Sequence, residues 1–237
     1  MKKQEIKYTY KQVKEIVYLA RNNKKLKPNK NTKFLIWSIP AIKTCPYACD
    51  ACKYWCYAVK SESAYPDCLP CRERNFKASQ RADFVEIMTA YITNAAKQRG
   101  YKDAKRIVVR IHESGDFYSQ EYYNAWVTIA NNCKSIKNVV FMAYTKSVPF
   151  VAAGPEIPAN MVIRFSLWDN TPDRAGNMLA GSSADHIATA AALGLPIYSA
   201  VPEFTTESKK TRCECVDCGT CNKCWCAGIE KLLCEIH

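Results

Sequence analysis

The sequence predicts an α/β fold with a mainly parallel sheet, followed by a Cys-rich metal-binding tail. Apolar runs of strand length alternate with helical patterns along most of the chain, and such alternation builds right-handed βαβ units. At 237 residues with 48% hydrophobic and 24% charged side chains, the chain can bury a full core and is neither disordered nor collagen-like. Its 14 cysteines are about 6% of the chain, and ten of them fall in two tight groups.

Taken in order, residues 9–22 predict a short amphipathic helix. Val13, Ile16, Val17 and Ala20 recur at helical spacing, behind Thr9 as the cap. A Lys/Asn-rich linker runs to Lys33. Phe34–Ile42 predicts a first strand whose end Pro40 sets near Ile39. Arg81–Arg99 is a helix with Phe84, Ile87, Met88, Tyr91 and Ile92 on one side and Gly100 as its stop. Arg106–Ile111 is a second strand, and a second helix follows Ser119. Asn138–Tyr144 and Met161–Leu167 are the third and fourth strands, separated by a segment with three prolines. An Ala-rich helix from Ser183 ends at Gly194, and Pro196–Val201 is the fifth strand. About five to six βα units before a composition break near Thr206 make an open sheet or a partial (β/α) barrel. The chain thus divides into a basic helix and linker (1–33), the βα series (34–205) and the Cys-rich tail (206–237).

Charge is concentrated at the start. The net charge is +12, and the first 33 residues hold 11 basic against 2 acidic side chains. This arm could attract nucleic acid, with Tyr8, Tyr10 and Tyr18 interleaved among the lysines, although a solvated helix face accounts for it as well. MKKQEIKYTYKQ has no apolar signal-peptide core, and no apolar run is long enough for a membrane span. The expectation is a cytoplasmic protein without membrane contact. There thiols stay reduced, and clustered cysteines read as metal ligands rather than disulfides.

The first group lies in the loop after the first strand, TCPYACDACKYWCYA. Cys45, Cys49 and Cys52 form C-x3-C-x2-C, and Cys56 follows. Three thiolates at that spacing can hold three corners of a [4Fe–4S] cluster and leave one iron open to a ligand. Cys45/Cys49/Cys52 and Cys45/Cys52/Cys56 are both open as ligand sets, and a four-thiolate zinc site is the alternative. The second group, CECVDCGTCNKCWC, steps by C-x2-C through Cys215, Cys218, Cys221 and Cys224, flanked by Cys213 and Cys226. It suits a second cluster or a zinc clip. Cys68 and Cys71 could complete a site shared with the tail. Cys133 and Cys234 are isolated and expected to pack.

C-x3-C-x2-C after the first strand of a βα series resembles the radical S-adenosylmethionine (SAM) superfamily. The finer pattern of Thr44-Cys45-Pro46, Cys52 and Cys56-Tyr57-Ala58 resembles the phage and prophage gene product 88 family. So do HESGDFYS from His112, AYTKS from Ala143 and Arg164-Phe165-Ser166. The resemblance runs from about Phe34 to Trp225. It implies a partial (β/α) barrel, one or two [4Fe–4S] clusters, SAM and an electron donor. It also implies reductive cleavage of SAM to a 5′-deoxyadenosyl radical acting on an unknown substrate.

The strand ends carry the remaining polar residues. Arg110 and His112 are expected on one strand face, with Ser114 following. In the superfamily the second strand's end holds the methionyl amino group, which Glu113 or Asp116 would suit. Gly115 would allow close backbone approach, and Asp116 could equally close a turn. Lys146 and Arg164, with Ser166, could hold a carboxylate or phosphate. The competing function is a non-enzymatic module, stabilised by zinc or a cluster, that binds nucleic acid or a host protein.

Overall fold

The computed structural model describes residues 8–23, 25–201, 218–221, 223–225 and 228–235. In chain order it contains α1 (Tyr10–Ile16), β1 (Thr32–Ile36), α2 (Asp50–Tyr54), α3 (Tyr57–Ala64), α4 (Cys68–Ser79) and α5 (Phe84–Ala96). Then come β2 (Arg106–Ile111), α6 (Gln120–Asn132), β3 (Val139–Thr145), α7 (Val148–Ala152) and β4 (Met161–Trp168). The chain continues through β5 (Thr171–Pro172), β6 (Met178–Leu179), α8 (Ala184–Ala192), β7 (Ile197–Val201), α9 (Cys218–Cys221) and β8 (Lys231–Glu235).

Six strands form one sheet in the order β1-β2-β3-β4-β7-β8, every neighbouring pair parallel. The order never reverses, so right-handed crossovers lay their helices on the same face. Strand alternation then sorts the core. Leu35, Val109, Phe141 and Ile163 face the helices, where they meet Ile87 and Met88 of α5 and Trp126 of α6. Phe34, Ile36, Val108 and Met142 face the other way, where Leu26, Cys218, Cys224 and Trp225 cover them. No helix among the described residues is long and apolar enough to cross a membrane.

The caps predicted at Thr9 and Ser119 form, and Ser183 supplies a third that was not predicted. Thr9 and Gln12 close a capping box on α1, Ser119 accepts from the Tyr122 N–H, and Ser183 accepts from the His186 N–H. The first helix is shorter than its apolar spacing predicts. It stops at Ile16, and Ala20 instead pairs antiparallel with Ile36, at 3.0 and 2.8 Å. Here β1's free edge offers backbone partners that a continued helix would forgo. The sixth strand, β8, and the three helices between Asp50 and Ser79 went unforeseen, because short or weakly amphipathic segments give no clear periodicity.

A second difference concerns His112. Its φ of 59° ends the β2 alternation, so it does not share the face of Arg110. Arg110 lies over the Tyr144 ring at 3.9 Å on the sheet face turned away from the helices, called the inner face below. The His112 ring instead packs edge-on against Phe117 at 4.8 Å and meets the Tyr122 hydroxyl at 3.0 Å, on the helix side.

Gly115 (φ 85°) sits where the exits of β1 and β2 touch. A Cβ there would lie 2.3 Å from the Ile39 side chain and 2.6 Å from Thr44 Oγ1. Gly194 (φ 62°) has nothing within 4 Å of that position. Gly115→Ala should therefore cost about 2–4 kcal/mol, a left-handed penalty plus overpacking, and Gly194→Ala only about 1 kcal/mol. Denaturant unfolding checks this; equal losses at both sites would refute the close approach.

Candidate metal centre

The loop after β1 is zipped to the exit of β2. Trp37 N–H donates to the Arg110 carbonyl at 2.9 Å and Glu113 N–H to the Trp37 carbonyl at 3.0 Å. Ile39 N–H donates to the Ser114 carbonyl at 3.1 Å, and Asp116 N–H to the Thr44 carbonyl at 3.2 Å. These bonds set the cysteine loop at the carboxyl edge of the sheet, where α/β proteins bind ligands.

Cys45, Cys49, Cys52 and Cys56 are all free and half-buried. Burial pushes the Cys45 thiol up to about 12, with Asp116, Cys52 and Cys56 adding to it. Burial also raises Cys49 and Cys56, and each feels the charge of Cys52. Cys52 is thus the thiol that all three others sense. Backbone N–H groups oppose the rise: those of Ile42 toward Cys45, of Cys52 toward Cys49, and of Ala58 and Val59 toward Cys56. Ile42 holds φ 61°, a strained conformation for a β-branched residue. Cys49 and Cys56 are the N-cap residues of α2 and α3. Around the loop, Ala51 packs with Trp168 and Ala200, and its N–H donates to the Ala180 carbonyl at 3.0 Å.

These donors fit a thiophilic metal or an iron–sulfur cluster by their chemistry. Four thiols share one loop, N–H groups point at three sulfurs, and a cation is needed before buried thiolates are tolerable. Among the described residues, no group of three His, Cys, Asp or Glu side chains is arranged to hold a metal ion.

In the tail, Cys218 and Cys224 are buried and Cys221 is half-buried. Burial raises Cys218 to about 11, with Cys224 and Cys221 contributing and Arg110 opposing. The Tyr144 hydroxyl bonds Cys224 Sγ at 2.8 Å, and Trp225 meets Phe34 edge-on at 5.7 Å. Cys213, Cys215 and Cys226 lie outside the described residues. Cys68 and Cys71 open α4, whose Ala78 belongs to the helix-side core, whereas Cys218 and Cys224 belong to the opposite one. Cys133 is buried as expected, and Cys234 is buried on β8.

The polar strand ends separate by role. Asp116 is buried. Its Oδ1 accepts from Thr145 Oγ1 at 2.6 Å and Phe117 N–H at 2.7 Å, and its Oδ2 from Lys146 N–H at 2.8 Å. Burial raises its pKa against those bonds. Arg164, also fully buried, donates to the carbonyls of Cys224 (2.8 Å), Ile229 (2.6 Å) and Lys223 (3.1 Å), which docks the tail. Gly115 serves the close approach described above. Glu113 accepts from Asn23 at 2.8 Å and Ser38 at 3.3 Å, while its carbonyl takes the Tyr57 hydroxyl. Ser114 Oγ is buried and meets no hydrogen-bond partner among the described residues.

Lys146 is buried, yet its ammonium donates to a neutral group, Ser166 Oγ at 2.7 Å, and lies 6.0 Å from the Trp168 ring. Its charge acts on Cys49. Sequence reasoning missed Tyr144, Tyr198 and Tyr57. The first two stack at 4.1 Å on the inner face beside Arg110. Their signal was Tyr144 and Tyr198 at alternate positions of otherwise apolar strands.

His112 has its own constraint. Tyr122 accepts from Trp37 Nε1 at 2.8 Å and shares a hydrogen bond with His112 Nε2 at 3.0 Å, while His112 Nδ1 is buried with no hydrogen-bond partner among the described residues. Burial, then Arg110, holds its pKa well below 6.5.

Comparison with known proteins gives one family: the gene product 88 model matches residues 17–227. No curated protein and no solved structure matches.

Two expectations follow from this geometry. The folded state resists protonating His112, so its contribution is present above the unfolded pKa and is lost as pH falls below about 6.5. The slope approaches ~1.4 kcal/mol per pH unit. His112→Asn, which tolerates a left-handed backbone, should flatten unfolding curves between about pH 6.5 and 5; an unchanged slope would contradict a neutral His112. Arg164→Met should leave three carbonyls of the tail unpaired and cost about 3 kcal/mol. Limited proteolysis should then cut near residues 218–235 first. A tail as resistant as the parent's would mean Arg164 does not dock it.

Proposed function

We propose that this chain, which belongs to the gene product 88 family, is an iron–sulfur protein of radical-SAM type that acts on an unidentified substrate. The observation that carries this reading is the loop of Cys45, Cys49, Cys52 and Cys56 at the carboxyl edge of a parallel sheet, with the charge of buried Lys146 acting on Cys49. The strand order supports it too. Six parallel strands in sequential order are the strand set of a partial (β/α) barrel, whereas a doubly wound sheet reverses direction at its middle.

A cluster bound by three of these thiolates would supply one electron to the sulfonium of SAM at its open iron. Cys52 belongs to both candidate ligand sets, so it is the thiol whose loss tests either of them. The residues left to meet the cofactor are fewer than the strand-end motifs suggested. Asp116 is engaged in joining β2 to β3, Arg164 in docking the tail, and Gly115 in packing. Lys146 with Ser166 would hold a carboxylate, adding a second anion to Asp116, whose charge already acts on that ammonium. Glu113, with Ser38 and Asn23 steadying its carboxylate, would meet an ammonium. The tail cysteines Cys218, Cys221 and Cys224, with Arg110 and Tyr144 beside them, would hold a second metal centre on the inner face.

Purified without oxygen, the full chain should be brown, absorb near ~400 nm and contain iron and sulfide. Cys52→Ser should remove the loop's share of the iron. SAM added to the reduced protein should change its electron paramagnetic resonance spectrum. Lys146→Met should weaken that response about ten- to a hundredfold in SAM concentration while iron is retained. A colourless protein with stoichiometric zinc would overturn the reading and favour a metal-stabilised binding module.

A further inference from the structure

Cys68 and Cys71 have no place in the centre just proposed. They are the first and fourth residues of α4, a twelve-residue helix, and both thiols are free and half-buried. Two thiols underfill a tetrahedral metal site, and no third donor completes one among the described residues. Of the tail cysteines that were to share them, Cys218 and Cys224 lie on the other face of the sheet. Nearer at hand, Arg72 is committed to Glu62 at 2.8 Å and to the Ala58 carbonyl at 3.0 Å.

What the pair does have is disulfide spacing in a yielding turn. Residues three apart on a helix bring their Cβ atoms within about 5–6 Å, and a disulfide needs roughly 3.5–4.5 Å. Closure therefore asks for a shift of about 1–2 Å. The shift falls to the Cys68 end, because Cys71 N–H already holds the Asp67 carbonyl at 3.2 Å in the helical ladder whereas the N–H groups before it lie outside that ladder. Cys68 N–H bonds the Tyr65 carbonyl at 3.0 Å, in the turn that precedes the helix. Pro70 between the cysteines has no N–H to lose and stiffens the turn, so the closed form keeps some strain. A strained, accessible disulfide is easily reduced, which marks a reversible pair rather than a structural staple. Leu69, 40% exposed, leaves the approach from solvent open.

We propose that Cys68 and Cys71 are a thiol–disulfide redox pair that exchanges two electrons with an external small-molecule disulfide of the glutathione type. One protein thiolate attacks the external disulfide, forms a mixed disulfide and releases one thiol. The second cysteine, deprotonated in turn, attacks the mixed disulfide at the protein sulfur and releases the second thiol. Two protein thiols are oxidised and one external disulfide is reduced to two thiols, so electrons and protons balance. The pair works independently of whatever metal the Cys45–Cys56 loop holds.

The test equilibrates the full-length, metal-loaded protein without oxygen in glutathione buffers of rising disulfide share. Free thiols are then trapped and the peptides mapped by mass spectrometry. The expected result is loss of two thiols into a Cys68–Cys71 disulfide, reversed by excess reduced glutathione, with metal content unchanged. The double variant Cys68→Ser, Cys71→Ser should lack those two thiols and keep its metal. Thiols that stay reduced in the most oxidising buffer would overturn the proposal, as would mixed glutathione adducts that never close. Loss of metal equivalents in the double variant would also overturn it and return both residues to the ligand set. Because the mapping reads these two residues directly, its outcome is separate from whether the protein is an iron–sulfur enzyme.

Discussion

The buried carboxylate of Asp116 organises the carboxyl edge of this sheet. Parallel strands end together, but nothing in the ladder joins one exit loop to the next. Asp116 does so by accepting from Thr145 and from the Lys146 backbone, which ties β2's exit to β3's. Its own N–H reaches the Thr44 carbonyl, one residue before Cys45. One residue therefore registers the cysteine loop against Lys146. Ser147 tightens the same knot, donating from Oγ to the Phe117 carbonyl at 2.7 Å. Desolvation opposes this use of a carboxylate and three donors offset it, the ordinary condition for burying such a group.

The inner face follows a second rule. Arg110, Lys146 and Arg164 all point away from the helices, and all three are buried. Burying three cations on one sheet face is costly unless negative or carbonyl groups converge there. Arg164 finds the carbonyls of the tail. Arg110 finds the Tyr144 ring and the field of Cys218 and Cys224. Lys146 finds Ser166, Trp168 and the field of Cys49. Cations thus act on a cysteine of each group, although burial outweighs them and keeps these thiols raised. The charges also explain why a Cys-rich tail with little apolar content docks on a sheet: Trp225 fills the space over Phe34, and Arg164 holds the backbone beside it.

Much of the fold was legible in the residues. Local signals act over a few positions, so the β2, β3, β4 and β7 runs and the caps at Thr9 and Ser119 could be placed from spacing alone. The cysteine loop was legible for the same reason, since its ligand spacing is a local property. Roles that depend on distant partners were not. Arg164 between Ile163 and Phe165 reads as a ligand-binding fork, and its partners lie about sixty residues away in the tail. Asp116 reads as a site carboxylate or a turn residue, and only the neighbouring strand's exit shows that it joins two loops.

The sequence alone determined the α/β class, the parallel strands, the two cysteine groups and the basic start, because composition and short-range periodicity suffice for each. The tertiary structure decided which side of the sheet each polar strand residue faces and which distant group it meets. His112 is the clearest instance. Strand alternation assigns it to the face of Arg110, but a φ of 59° turns its ring to the Tyr122 hydroxyl on the other side. That backbone angle is set by packing among Phe117, Tyr122 and Trp37, residues whose convergence no local pattern encodes.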